Sequence, residues 1–145
     1  WIEYPAIAGD SINIDVKWNH DVKIFRRHTS QASRTDYPWI FASGLEGVEE
    51  LSLALDQLGN INPDRANRYQ LVVYVVNQLE GQSGEVEMSL RGEKKRIKLE
   101  DVATDFDVNS GRLKFDGVTL GDDLMITIRT LSGKPIVCAI ELIRQ

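Results

Sequence analysis

The side chains here that could do chemistry are one thiol, two imidazoles and 22 carboxylates. Nucleophilic catalysis needs a nucleophile, a base and an orienting group within hydrogen-bond reach. Cys138 with His20 or His28 is the one Cys/His combination on offer. Cys138 sits inside Ile136-Val137-Cys138-Ala139-Ile140, where every neighbour is apolar. A thiol buried among such residues carries little thiolate, and it is expected to act as a small core hydrophobe. There is no Gly-x-Ser-x-Gly elbow and no phosphate-cradling glycine loop. Paired carboxylates hydrolyse glycosides when their spacing in the fold is right, and no pair stands out from the acids along this chain. The expectation is a protein that is not an enzyme.

Metal chemistry is thin as well. Two histidines in unrelated settings do not make a His-rich ligand set. Calcium needs only oxygens, and Asp10, Glu100-Asp101, Asp105, Asp107 and Asp122-Asp123 supply them without matching a ligand-loop pattern. No cofactor is expected, and a structural calcium is the one metal the composition admits.

Sugar binding asks for something different. A pyranose lays its apolar face on a planar ring while polar groups grip the hydroxyls at its edge. Arg34-Thr35-Asp36-Tyr37-Pro38-Trp39-Ile40-Phe41 holds three aromatics beside Arg and Asp, and Phe25-Arg26-Arg27-His28 adds donors. Trp39 and Phe41, two apart, would share one face of a strand, so core packing competes with exposure for both. Phe41 is assigned to the core; Tyr37 and Trp39 stay open between core and site. Trp18 aligns with Ile14 and Val16 and is assigned to the core.

The elements that would position these groups announce themselves by alternation. Ile12, Ile14, Val16 and Trp18 alternate with polar residues, as do Val86, Met88 and Leu90, and again Leu124, Ile126 and Ile128. Near the end, Cys138, Ile140 and Leu142 face one way and Ala139 and Glu141 the other. Successive strand side chains point to opposite faces, so each segment reads as a half-buried strand. Tyr69–Val76 is apolar on both faces, which predicts a central strand covered by the core on one side and by a loop or partner on the other. Turn residues separate the strands at Gly59-Asn60, Asn62-Pro63-Asp64, Gly81–Gly84, Gly92, Asn109–Gly111, Asp116-Gly117, Gly121-Asp122 and Ser132–Pro135. Such spacing favours a sandwich or barrel. Gly47–Gly59 reads both ways: Val48, Leu51, Leu55 and Leu58 share a helical face, while Leu51, Leu53 and Leu55 share a strand face. The polar, aperiodic stretch Thr29–Pro38 is a surface loop and the natural place for recognition.

With 145 residues, 42% hydrophobic and 27% charged, the chain is expected to be one domain, 1–145, with a real core. Acids outnumber the 17 bases for a net charge of −5, and the bases cluster only at Arg26-Arg27 and Lys94-Lys95-Arg96, so nucleic acid is not an expected partner. No window approaches the ~20 apolar residues that cross a bilayer, so a membrane is not one either. The start at Trp1 rather than Met suggests a processed or excised fragment of a larger protein.

The Tyr-led strand Arg68–Tyr74, the strand Glu85–Arg91 ending at Gly92, and the closing strand introduced by Pro135, Ile136–Leu142, together make the C-terminal half resemble the malectin-like carbohydrate-binding family. Ile2-Glu3-Tyr4-Pro5, Phe25–Ser30 and Trp39–Gly47 followed by Leu51-Ser52-Leu53 look like a bacterial version attached to large exported proteins, some with propeller domains. The resemblance implies a jelly-roll β-sandwich of the galactose-binding-like kind, with Leu51-Ser52-Leu53 as a strand. It also implies a non-catalytic carbohydrate-binding role and an extracytoplasmic location, with a glycan and the neighbouring domains of the parent chain as partners. Malectin's aromatic pair after the Tyr-led strand corresponds here to Gln78-Leu79, and its acidic residue before the closing Pro to Gly133-Lys134. The sandwich therefore carries over better than malectin's ligand. The site expected at the loop end has Tyr37 and Trp39 stacking, with Asp36, Arg34, His28, Asn77 and Gln78 as hydrogen-bonding groups. The rival expectation is a structural module that packs on a neighbouring domain.

Overall fold

The computed structural model describes residues 13–19, 21–26, 28–29, 38–56, 68–77, 83–102, 111–119 and 124–145. Ten strands lie within them: β1 (Asn13–Trp18), β2 (Lys23–Arg26), β3 (Ser43–Glu46), β4 (Glu50–Asp56), β5 (Arg68–Asn77), β6 (Glu85–Leu90), β7 (Glu93–Lys98), β8 (Arg112–Thr119), β9 (Leu124–Ser132) and β10 (Pro135–Arg144). They form two five-stranded sheets, ordered β1-β4-β9-β6-β7 and β2-β3-β10-β5-β8. The fold is an all-β sandwich. Leu51-Ser52-Leu53 lies in β4, so tertiary pairing with β1 and β9 overrides the helical propensity of that stretch.

The pairing is nested. β6 pairs with β7, β5 with β8, β4 with β9 and β3 with β10, all antiparallel. This is one long two-stranded ribbon whose successive rungs fall in alternate sheets. Pairing of β6 with β9 and of β5 with β10 then closes the sheets, the wrapping of a jelly roll. β1 and β2 extend the two sheets on the same flank.

Alternation fills the space between the sheets. Leu51, Leu53, Val86, Met88, Leu90, Leu124, Ile126 and Ile128 come from the first sheet, and Leu71, Val73, Val75, Leu113, Phe115 and Val137 from the second. Burial of each such side chain contributes about 1.5–3 kcal/mol against the chain entropy. The other face of β5 is buried too: Val72, Tyr74 and Val76 pack with Ile136, Ile40 and Phe41. Its cover is the short 3₁₀ turn Pro38–Phe41, which explains why Tyr69–Val76 is apolar on both sides.

Three expectations need correction. Trp18 is 36% exposed, because its edge strand has a neighbour on one side only and cannot cover a ring of that size. Cys138 does not share a face with Ile140 and Leu142. The register shifts between Val137 and Ala139, so Cys138 and Ala139 both pack with the outer cluster while Ile140 and Leu142 face the core. Asp116-Gly117 is a bulge inside β8, not a turn: Tyr69 pairs with Val118 and Leu71 with Phe115, leaving two residues opposite Gln70. Gly117 takes a φ of 66°, which an L side chain resists. The turn expected at Gly92 is the tight β6–β7 hairpin, with Arg91 at φ 50° and Gly92 at φ 83°.

Candidate functional site

The outer face of the second sheet is built by every other residue of its strands. On β5 these are Gln70, Val72 and Tyr74; on β8, Arg112 and Lys114; on β10, Ala139, Glu141 and Ile143. Registration aligns them in rows, Ala139–Tyr74–Arg112 and Glu141–Val72–Lys114. The Tyr74 hydroxyl donates to Glu141 Oε2 at 2.6 Å, diagonally across the two rows. Arg112 places its guanidinium 5.2 Å from the Tyr74 ring centroid, a cation–π contact. Arg112 Nε is covered and has no hydrogen-bond partner. Further along, Gln70 Nε2 donates to Asp116 Oδ1 at 2.6 Å, and Gln145 Nε2 reaches the same oxygen at 3.3 Å. The face runs from an apolar end under the turn to a polar end of mixed charge.

The Pro38–Phe41 turn sets the aromatic groups. Proline fixes φ where the turn begins, and Ala42 N donates to the Trp39 carbonyl at 3.2 Å. A 3₁₀ turn does not alternate as a strand does, so Trp39 and Phe41 do not share a face. Phe41 is 2% exposed and Ile40 6%, whereas Trp39 is 50% exposed. Two buried anchors hold a half-open indole at the edge of the outer face. Phe25 of β2 reaches the same cluster because Gly44 lies opposite it. A Cβ on Gly44 would collide with Ile136 Cγ2.

The other predicted site residues separate from one another. His28 is exposed just beyond β2, at the far edge of the sheet from β8. Asn77 is 1% exposed and donates from Nδ2 to the Leu99 carbonyl at 3.0 Å, so it braces the end of β5. Arg34, Asp36, Tyr37 and Gln78 lie outside the described residues, as do His20, Asp10, Asp105, Asp107, Asp122 and Asp123. Glu100 and Asp101 are exposed in a 3₁₀ turn after β7. Among the described residues no group of His, Cys, Asp and Glu is placed to hold a metal. Tyr74, Arg112, Lys114 and Glu141 were not singled out by their sequence, because the strand order that aligns them is not written in their local pattern.

The first sheet presents a different outer face. Glu50, Arg129, Glu87 and Arg96 stand opposite one another across β4, β9, β6 and β7, a row of alternating charge. Arg129 Nε donates to Glu50 Oε2 at 2.8 Å, and this bond raises the guanidinium's pKa. Glu87, on the polar side of its strand's alternation, is 4% exposed. Lys94 Nζ and Arg96 Nε each donate to it at 2.9 Å and lie over it. These bonds, Lys94's first, hold its carboxyl below the ordinary range. Lys94, Lys95 and Arg96 of edge strand β7 thus all reach glutamates of their own sheet, and the charges guard that edge.

No family model matches the chain, and no curated protein matches it. Among solved structures, it is similar to the enzymatically active domain of tailspike protein 4 of bacteriophage CBA120, with a TM-score of 0.41 and 8% identity. The match covers 92% of this chain and 19% of that one, so the chain spans about a fifth of that domain's length.

Proposed function

We propose that this chain is a non-catalytic carbohydrate-binding module of a larger exported protein, malectin-like in design, with the outer face of the second sheet as its platform. The observation that carries the reading is Trp39: a half-exposed indole fixed by two buried neighbours is an ordered stacking surface. Beside it, the sheet offers a carboxylate, an amide, a guanidinium and an ammonium in fixed rows, the polar groups that grip sugar hydroxyls. Among the described residues no helix is long and apolar enough to cross a membrane. The extracytoplasmic location follows from the proposed role. A glycan array followed by calorimetric titration tests the reading. Trp39→Ala should weaken the best ligand about tenfold. Absence of any glycan binding, or undiminished binding by the variant, overturns it.

A second reading, packing against a neighbouring domain of the parent chain, draws on another place. Ile24 on edge strand β2 is 68% exposed, and Trp18 on edge strand β1 is half-open on the same flank. The second apolar face of β5 does not supply the patch, since Pro38–Phe41 already covers it. Loss of association with the adjoining domain in an Ile24→Ser parent protein would favour this reading.

A further inference from the structure

On β10, β5 and β8 the outer face of the second sheet is unevenly matched in charge, Glu46 lying apart on β3, three strands from β8. The carboxylates there accept hydrogen bonds, Glu141 from Tyr74 and Asp116 from Gln70 and Gln145. The cations lack carboxylate partners. Arg112 and Lys114, two apart on β8 and so on one face, have no ion pair among the described residues. On β7, by contrast, Lys94, Lys95 and Arg96 all reach glutamates. Arg112 is also half-buried, held over Tyr74, and its Nε is covered without an acceptor. A partly desolvated guanidinium lacking an anion costs free energy, and a ligand anion recovers it.

We propose, building on the sugar-binding reading, that the glycan taken here is acidic, with a ring carboxylate seated against Arg112 and Lys114. The planar guanidinium presents paired N–H groups that match a carboxylate's two oxygens, and Lys114 adds a point charge beside it. Trp39 sits on the turn that packs over β3 and β10 and reaches Tyr74 of β5 through Phe41, whereas Arg112 is on β8, next to β5 and two strands beyond β10. Adjacent strands lie ~4.8 Å apart, so a ligand touching both groups bridges about 5–10 Å. A short oligosaccharide spans that distance.

The test is an array of uronic-acid, sulfated and neutral oligosaccharides, with calorimetry on the best ligand, its methyl ester and the variants Arg112→Gln and Lys114→Gln. Preference for uronic-acid chains supports the proposal if esterification weakens binding and added salt does the same. Each variant should then lose affinity, Arg112→Gln on the order of tenfold or more. Lys114→Gln keeps the test sharp if the Arg112 variant folds poorly. Preference for sulfated or neutral glycans, or an acid preference untouched in both variants, overturns the acidic ligand and leaves sugar binding standing. No binding to any glycan removes both.

Discussion

Phe41 stands edge-on to Tyr74, their ring centroids 6.0 Å apart and their planes crossed at 80°. The contact pins the turn to the sheet and so fixes where the neighbouring Trp39 indole projects. Phe41→Ala should cost about 3–5 kcal/mol of stability, from lost burial and the cavity left behind. Trp39→Ala should change stability by no more than about 0.5 kcal/mol. Urea unfolding of both variants beside the parent checks the contrast. Equal losses would mean that Trp39 is a packing residue.

Glu87 makes stability depend on pH. Its folded pKa is held below the ordinary 4.5, so its contribution is complete above that value and is withdrawn as pH falls through the folded value. Glu87→Gln should therefore lower Tm at neutral pH, and the gap to the parent should close in acid. Melting curves from pH 7 down to about 2 follow it. A gap of constant size throughout would contradict the assignment.

Asn77→Ala should cost about 1–3 kcal/mol, since it strips the Leu99 carbonyl of its buried donor. Glycan affinity, measured on the folded fraction, should not move. An affinity loss without a stability loss would return Asn77 to the binding site.

Two glycines should resist substitution for different reasons. At Gly111 a Cβ would run into the Val75 carbonyl oxygen, where Val75 N donates to Gly111 O at 2.7 Å. Gly111→Ala should cost about 1–3 kcal/mol or more through forced displacement of β5. At Gly92 the surroundings are open, and the barrier is its φ of 83°. Gly92→Ala should cost about 1–2 kcal/mol, while Gly92→Asn, at home in that conformation, should cost less. Denaturation midpoints rank the three variants.

Much of the sandwich is legible in the residue pattern. Val86, Met88 and Leu90, and Leu124, Ile126 and Ile128, alternate cleanly because each strand meets one core and one solvated face. Tyr69–Val76 was legible as doubly covered, although its second cover was not. The failures have physical causes. A single bulge residue breaks the two-residue rhythm, which put Cys138 with the wrong partners and disguised Asp116-Gly117 as a turn. Edge position left Trp18 half in water, and salt-bridging neighbours from β7 hid Glu87. Of the proposed site, Trp39 was visible as one of three aromatics beside Arg34 and Asp36, open between core and site. Arg112, Lys114 and Glu141 come together only through strand order, which local pattern does not encode.

β10 is the centre strand of its sheet, flanked by β3 on one side and β5 on the other. Remove it and that sheet falls into two separate hairpin-sized pieces, β2 with β3 and β5 with β8, neither able to persist alone in water. Half of the sandwich can therefore be knitted only after Pro135–Arg144 has left the ribosome, and a chain halted short of Pro135 would be left with unzipped, sticky edges.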